Sequence, residues 1–286
     1  MRNSENVSRA DNQQEMLESN FYFSGLCAAE MSCSIIKAKN KKPGDYYYMV
    51  DLTITNADLK LLNEANRVVM NSRGVSSSVK GAYNLSSRGK SKVRTALNFL
   101  ETHPIIIGDL AKNRIIILKT ALMYLEKHRA HRFKKEKNSE MEKLRQKLRE
   151  LKTKGIVDQT FDPLPVGEKS LGHFFAGVID GEGSFGLKSS RLAKQPFFAI
   201  AMKDRKIIEL LNRFIGYGNV RLRKDGVYHL EINHRDIIKN ICELFLNRYP
   251  LRNERQKNRL RSLQQFLNDY TPRSLKSVGF REYDIV

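Results

Sequence analysis

Sliding the chain against itself by 145 residues lays Val75 on Val220, Gly81 on Gly226, Tyr83 on Tyr228 and Leu85 on Leu230. The same offset, after small compensating gaps, lays Lys112-Asn113-Arg114 on Lys257-Asn258-Arg259 and Leu118 on Leu263, with Pro104 and Pro250 ahead of the two triplets. Chance supplies one such match, not the ordered set. An internal repeat of this kind restricts the fold more than any propensity does, because both copies must adopt one architecture and pack against each other.

The copies follow one order of elements, α-β-β-α-β-β-α-α. In the second, Phe185 and Leu187 alternate with Ser184, Gly186, Lys188 and Ser190, the period-2 pattern of a strand with one apolar face. Phe198 and Ile200 fall in a second strand. Ile207, Leu210, Leu211 and Phe214 have helical spacing, and Gly216 is a stop signal. Residues 220–232 read as a hairpin turning at Asp225-Gly226, a favoured tight-turn dipeptide. Helices are expected near 235–247 and 253–269. The first copy predicts strands near 32–39, 46–55, 75–80 and 82–87, and helices near 57–71, 90–102 and 109–128. The fold class is therefore α+β, two tandem repeats each with an antiparallel sheet.

Around these lie a polar N-terminal extension at 1–20, a first repeat at 21–126, a basic linker at 127–170 and a second repeat with a short tail at 171–286. Between Lys127 and Lys154, twelve Lys and Arg face four Asp and Glu. Met141, Leu144, Leu148 and Leu151 give that stretch a narrow apolar stripe, as expected of a linker helix lying over the body, with a dedicated nucleic-acid helix as the alternative.

Composition narrows the partner. The 286 residues carry 51 Lys and Arg against 31 Asp and Glu, a formal charge of +20, and are 41% hydrophobic. That apolar content argues against disorder, and no apolar run approaches the ~20 residues that cross a bilayer. Glu5, Asp11, Glu15 and Glu18 in the first twenty residues fit neither a signal peptide nor an acid-poor transit peptide. Cys27, Cys33 and Cys242 are scattered and odd in number, consistent with a reducing compartment. An excess of positive charge this large points to nucleic acid.

Each copy opens with a helix of small residues ending in an acid: Ser24, Gly25, Ala28, Ala29 and Glu30 in the first, Ala176, Gly177, Gly181 and Glu182 in the second. Small residues let helix backbones approach closely. If the two helices pack about a pseudo-twofold axis, Glu30 and Glu182 meet at its foot. Adjacent carboxylates call for a cation or a shared proton, and hard ions such as Mg²⁺ suit carboxylate, water and phosphate oxygens. In a basic protein this predicts metal-assisted phosphodiester hydrolysis. His103, His128, His131, His173, His229 and His234 pair with no cysteine at zinc spacing, and neither a GxxxxGK[ST] loop nor a GxSxG elbow occurs.

The run Phe175-Ala-Gly-Val-Ile-Asp-Gly-Glu-Gly183, extended by Ser184-Phe185, closely resembles the signature of the LAGLIDADG homing endonucleases, and Phe23-Ser-Gly-Leu-Cys-Ala-Ala-Glu-Met31 looks like a weaker copy. The resemblance covers about residues 21–126 and 171–270. It implies a single-chain, two-motif protein whose αββαββα units form a saddle on double-stranded DNA. It also implies Mg²⁺ or Mn²⁺ held by Glu30 and Glu182, joined by the carbonyls of Ala29 and Gly181. The family's basic active-site residue falls on Lys112 and Lys257, expected to stabilise phosphate charge and position water. Cleavage of both strands of a long asymmetric site is implied. So are a monomer, no membrane, and an intron-encoded origin, in a mitochondrial matrix, a chloroplast stroma or a bacterial cytoplasm.

Three departures qualify the likeness. Ala28 stands opposite Asp180. Met31 replaces a glycine, which predicts a disturbed turn into the first strand. The strand-end position where relatives often hold a glutamine carries Asn56 in one copy and Met202 in the other, followed by Lys60 and Lys206. These departures leave a rival reading, a non-cleaving nucleic-acid binder or intron maturase that assists its host intron RNA. The alternation assigns to a DNA-facing surface Ser34, Ile36, Asn40, Asp51, Thr53, Ser76, Ser78, Lys80 and Asn84 in the first copy. In the second it assigns Lys188, Ser190, Arg221, Arg223, Lys224 and His229, with more guanidinium contacts expected from the second.

Overall fold

A computed structural model describes residues 3–40, 46–72, 74–78, 81–128, 134–189 and 194–269. Helix α1 (Asn3–Glu30) gives way without a loop to β1 (Met31–Lys39), which pairs antiparallel with β2 (Tyr46–Asn56). Helix α2 (Leu59–Ala65) runs on as a π turn to Met70, and β3 (Val75–Ser77) and β4 (Tyr83–Arg88) complete the sheet. Helices α3 (Lys90–Thr102) and α4 (Asp109–Lys127) close the repeat. Helix α5 (Lys134–Lys154) leads to the second set: α6 (Glu168–Glu182), β5 (Gly183–Ser189), β6 (Lys194–Met202), α7 (Arg205–Ile215), β7 (Asn219–Leu222), β8 (Tyr228–Ile232), α8 (Arg235–Glu243) and α9 (Glu254–Asp269). The strand orders are β1-β2-β4-β3 and β5-β6-β8-β7, the same arrangement twice. The duplication read from the sequence is thus a duplication of structure.

The local reasons repeat as well. In β2, Val50, Leu52 and Ile54 are fully buried on one face, and in β6 Phe198 and Ile200 do the same. The helix after each second strand ends on a left-handed residue: Gly216 at φ +76° after α7, and Asn71 at φ 43° after the α2 segment. Glycine and asparagine are the residues that adopt this conformation most cheaply. The polar segment at 1–20 is, from Asn3 onward, continuous with α1 rather than separate from it.

Helix α5 lies on the first repeat, against α4, β1 and β2. Its stripe, Met141, Leu144, Leu148 and Leu151, is buried. Tyr48 Oη donates to Glu142 at 2.8 Å and Lys37 pairs with the same carboxylate at 3.5 Å, so the helix is fixed at its edge as well as along its stripe.

The sequence predicts a disturbed junction at Met31, and the structure does not bear this out. Met31 follows Glu30 directly into β1 with 2% of its surface exposed. Its counterpart Gly183 has an ordinary φ of −72°, and what requires glycine there is contact, since a Cβ would lie 2.5 Å from the Ile179 carbonyl oxygen and 2.8 Å from the Ile179 Cγ2. The first copy has Cys27 in place of that isoleucine.

Candidate active site

Helices α1 and α6 form the most extensive contact between elements of the two repeats. The crossing is made by two glycines. A Cβ on Gly25 would lie 1.9 Å from the Phe174 carbonyl oxygen, and one on Gly177 would lie 1.9 Å from that of Tyr22. The reciprocity is the mark of a pseudo-twofold axis through the crossing. One turn below, a Cβ on Gly181 would fall 2.6 Å from the Ala29 Cβ and 3.0 Å from the Glu30 Cγ. Close approach at these positions brings Glu30 and Glu182 to the foot of the interface, where both helices end.

The pair is partly buried, and its electrostatics follow from that. Burial and the neighbouring Glu182 push the Glu30 carboxyl up to about 7, although Asn56 Nδ2 donates to Glu30 Oε1 at 3.5 Å. Burial also raises Glu182, which the Arg114 guanidinium partly offsets. The pair therefore retains one proton well above the usual carboxylate range. Two acids that resist joint ionisation form a site that a divalent cation would relieve. The last-turn carbonyls, those of Ala29 and Gly181 included, have no partner further along their own helices and can act as additional ligands.

The two lysines expected beside the acids are engaged elsewhere. Lys112 Nζ donates to the Ile106 carbonyl at 3.1 Å and lies 5.3 Å over the Phe161 ring. Burial lowers its pKa, and the charges that act on it are Asp109, Lys206, Asp204 and Asp162. Lys257 Nζ meets Glu254 at 3.3 Å. Arg114 is the cation whose charge acts on Glu182, and it is held by Nη1 on the Met31 carbonyl at 2.9 Å and Nε on that of Leu110 at 3.3 Å. In the second repeat the equivalent carbonyl, of Gly183, is taken by neutral Gln256 at 2.8 Å, while Arg259 lies 5.7 Å over the Phe185 ring. Arg114 is part of the triplet that the internal repeat exposes, so its importance had a signal. That signal did not distinguish which of the two basic residues turns inward.

Carboxylates the sequence left without a role hold the frame. Asp204 reaches from the second repeat to the start of α4 and accepts from the amides of Asp109 (3.1 Å), Leu110 (2.9 Å) and Ala111 (3.3 Å). Asp58 reaches the other way, accepting from the Glu254 amide at 2.9 Å. Asp180 accepts from Tyr22 Oη at 2.6 Å and from the amides of Arg252 (2.6 Å) and Asn253 (3.0 Å), and burial pushes it up to about 6. Lys206 pairs with Asp109 at 3.1 Å. Asn56 Oδ1 accepts from Asn253 Nδ2 at 3.2 Å, whereas Met202 at the matching strand end is buried and has no such capacity.

The strand faces divide as the alternation predicts, with partners of their own. Ser34, Ile36, Thr53, Ser76 and Asn84 share one face of the first sheet, where Thr53 meets Ser86 at 2.8 Å and Thr55 donates to Asn84 at 2.7 Å. Asp51 shares that face but is only 7% exposed and pairs with Arg88 at 3.4 Å, so it is a poor candidate for base contact. Ser78 lies in the hairpin turn, its amide on the Ala82 carbonyl at 2.8 Å, and Asn40 just follows β1. On the second sheet Lys188, Arg221 and His229 gather around Glu231, with Arg221 Nη2 3.0 Å from it. Arg223 pairs with Asp225 at 3.0 Å, and Lys224 is exposed in the turn. Lys80 and Ser190 lie outside the described residues, as does His131.

Residues 175–264 match the sequence model of the LAGLIDADG endonucleases. That match lies within the second repeat and spans less than half of the chain, so it is a likeness of this repeat to the family. Comparison with curated proteins gives no match. Among solved structures, the chain is similar to the LAGLIDADG homing endonuclease I-GzeII in complex with its DNA target (TM-score 0.72, 16% identity), covering 87% of this chain and 89% of that one. I-LtrWI bound to target DNA gives a TM-score of 0.69 at 18% identity over 88% and 90% of the two chains. I-SmaMI bound to uncleaved DNA in the presence of calcium gives 0.65 at 17% over 87% and 98%. The likeness extends the LAGLIDADG fold from the matched repeat to the pair of repeats.

Proposed function

We propose that the chain is a site-specific homing endonuclease that hydrolyses both strands of a long, asymmetric double-stranded DNA target. The observation that carries this reading is the convergence of Glu30 and Glu182 at the foot of the α1–α6 crossing, midway between two like sheets. The donor set fits a hard divalent ion, Mg²⁺ or Mn²⁺, with Glu30 and Glu182 as its charged ligands and the Ala29 and Gly181 carbonyls as neutral ones. Such an ion, when bound, polarises a phosphoryl oxygen and lowers the pKa of water.

The rest of the chemistry falls to the chain. Arg114, anchored on the Met31 carbonyl, supplies positive charge where a phosphate gathers negative charge in hydrolysis. Asn56, held by Asn253, offers an amide to orient water on the first repeat's side. Ser34, Thr53 and Asn84 on one sheet, and Lys188, Arg221 and His229 on the other, present hydrogen-bonding groups to the grooves. The buried Met202 favours a second reading, a binder that aids splicing of its host intron RNA without cutting.

Incubation with Mg²⁺ and a DNA library of randomised or intron-insertion sequences separates the two. Double-strand cuts that disappear in Glu182→Gln are the expected result. Tight RNA binding with no cut in Mg²⁺ or Mn²⁺ would overturn the endonuclease reading.

A further inference from the structure

Beside Glu30 opens a cavity of about 350 Å³ whose cations come from three separate parts of the chain: Arg114 from α4, Lys152 from the last turn of α5, and Lys203 from the junction of β6 and α7. Leu148 and Leu151 also line it. They are 7% and 3% exposed, so the apolar stripe that docks α5 also fixes where Lys152 stands. Lys152 and Lys203 are themselves exposed.

A second cavity, of about 470 Å³, adjoins the first through Leu110 and Lys203 and adds Lys154. Its aspartates are already committed. Asp109 pairs with Lys206, Asp204 caps α4, and Asp225 pairs with Arg223. Among the described residues none of Lys152, Lys154 and Lys203 forms an ion pair. Cations with no ion-pair partner, Lys152 and Lys203 in the first cavity and Lys154 in the second, leave positive charge there that an anion would offset.

We infer that Lys152 and Lys203, flanking the anchored Arg114, form a phosphate subsite beside Glu30, so that α5 is part of the nucleic-acid interface as well as a tether between repeats. The subsite takes a backbone phosphate of duplex DNA and is one-sided. Helix α5 lies on the first repeat, and on the second the place of Arg114 is filled by neutral Gln256. This assignment rests on the DNA-binding reading above and goes beyond it in giving the linker a contact of its own.

The test is anisotropy of a labelled random-sequence duplex of about 30 base pairs, titrated with the full-length protein in EDTA over a range of NaCl. Each phosphate contact contributes about 0.9 to the slope of log affinity against log salt. Lys152→Ala with Lys203→Ala should therefore lower the slope by about 1 and weaken binding at low salt by about tenfold, with the melting temperature unchanged. Lys152→Arg with Lys203→Arg should keep the slope, and so should Lys143→Ala on the exposed side of α5, where Lys143 pairs with Glu140. A double alanine variant with the wild-type slope would overturn the subsite and leave the endonuclease reading intact. A wild-type protein whose affinity for the duplex does not depend on salt would overturn both.

Discussion

Glu30 is the residue whose chemistry reaches furthest. Its carboxyl is pushed up to about 7 by burial and by Glu182, while in the unfolded chain it titrates near the ordinary value of about 4.3. The folded, metal-free protein thus holds this proton more tightly than the unfolded chain does. That contribution to stability is complete below about pH 4 and is lost as pH rises through 7. In EDTA, the wild type should lose urea resistance between about pH 5 and pH 8 relative to Glu30→Gln, which has no proton to lose. Adding Mg²⁺ at the higher pH should restore the wild type and leave the variant unmoved. A wild type and variant with parallel pH profiles would show that the acids do not strain each other. The acids themselves were legible in the sequence, because a helix ending in a carboxylate recurs in both copies. The orientation of Lys112 was not. Whether a basic side chain one turn into a helix faces the acids or the Phe161 ring depends on packing from the linker, and residue types carry no mark of that.

The crossing of α1 and α6 makes the sharpest demand at the scale of elements. Gly177 allows no side chain, since a Cβ would come within 1.9 Å of the Tyr22 carbonyl oxygen, an atom of the backbone that cannot swing aside. Gly177→Ala should therefore destabilise the protein by about 3 kcal/mol or more, at the upper end of what overpacking costs. Gly167→Ala, with nothing within 4 Å of the added carbon, should cost no more than about 1 kcal/mol, the effect of alanine in place of glycine at the N-cap of α6. Urea midpoints for the two variants decide it, and equal losses would refute the packing geometry. The caps make a second demand. Asp204 satisfies amides at the start of a helix in the other repeat, so Asp204→Ala should cost about 1–2 kcal/mol by the same assay, as the loss of an N-cap does. Strands, turns and helix ends could be read locally from period-2 alternation, from Asp225-Gly226 and from Gly216. The caps could not, because Asp204 and the amides it holds are 93–95 residues apart and share no pattern.

At the scale of the whole molecule, the duplication is a frame on which the two halves have become unequal. One face is rich in Ser and Thr and knit by short hydroxyl contacts, and the other gathers Lys188, Arg221 and His229 about Glu231. Helix α5 covers one repeat and has no counterpart on the other among the described residues. At the site itself, Asn56 and Arg114 attend the first repeat's side, while Met202 and Gln256 stand in the matching places. A duplex presents two scissile phosphates related by near-twofold symmetry, so an unequal site should treat them unequally. On a supercoiled plasmid carrying a selected target, a nicked intermediate should build up before linear product, with the two cuts differing in rate by about tenfold or more, since a positioned polar group contributes at least that much to proton handling. Met202→Gln restores an amide to the deficient side and should narrow the gap by speeding the second cut, provided the variant keeps its melting temperature. Linear product appearing without a nicked intermediate would mean that the two halves, although built from different residues, act on the phosphates as equals.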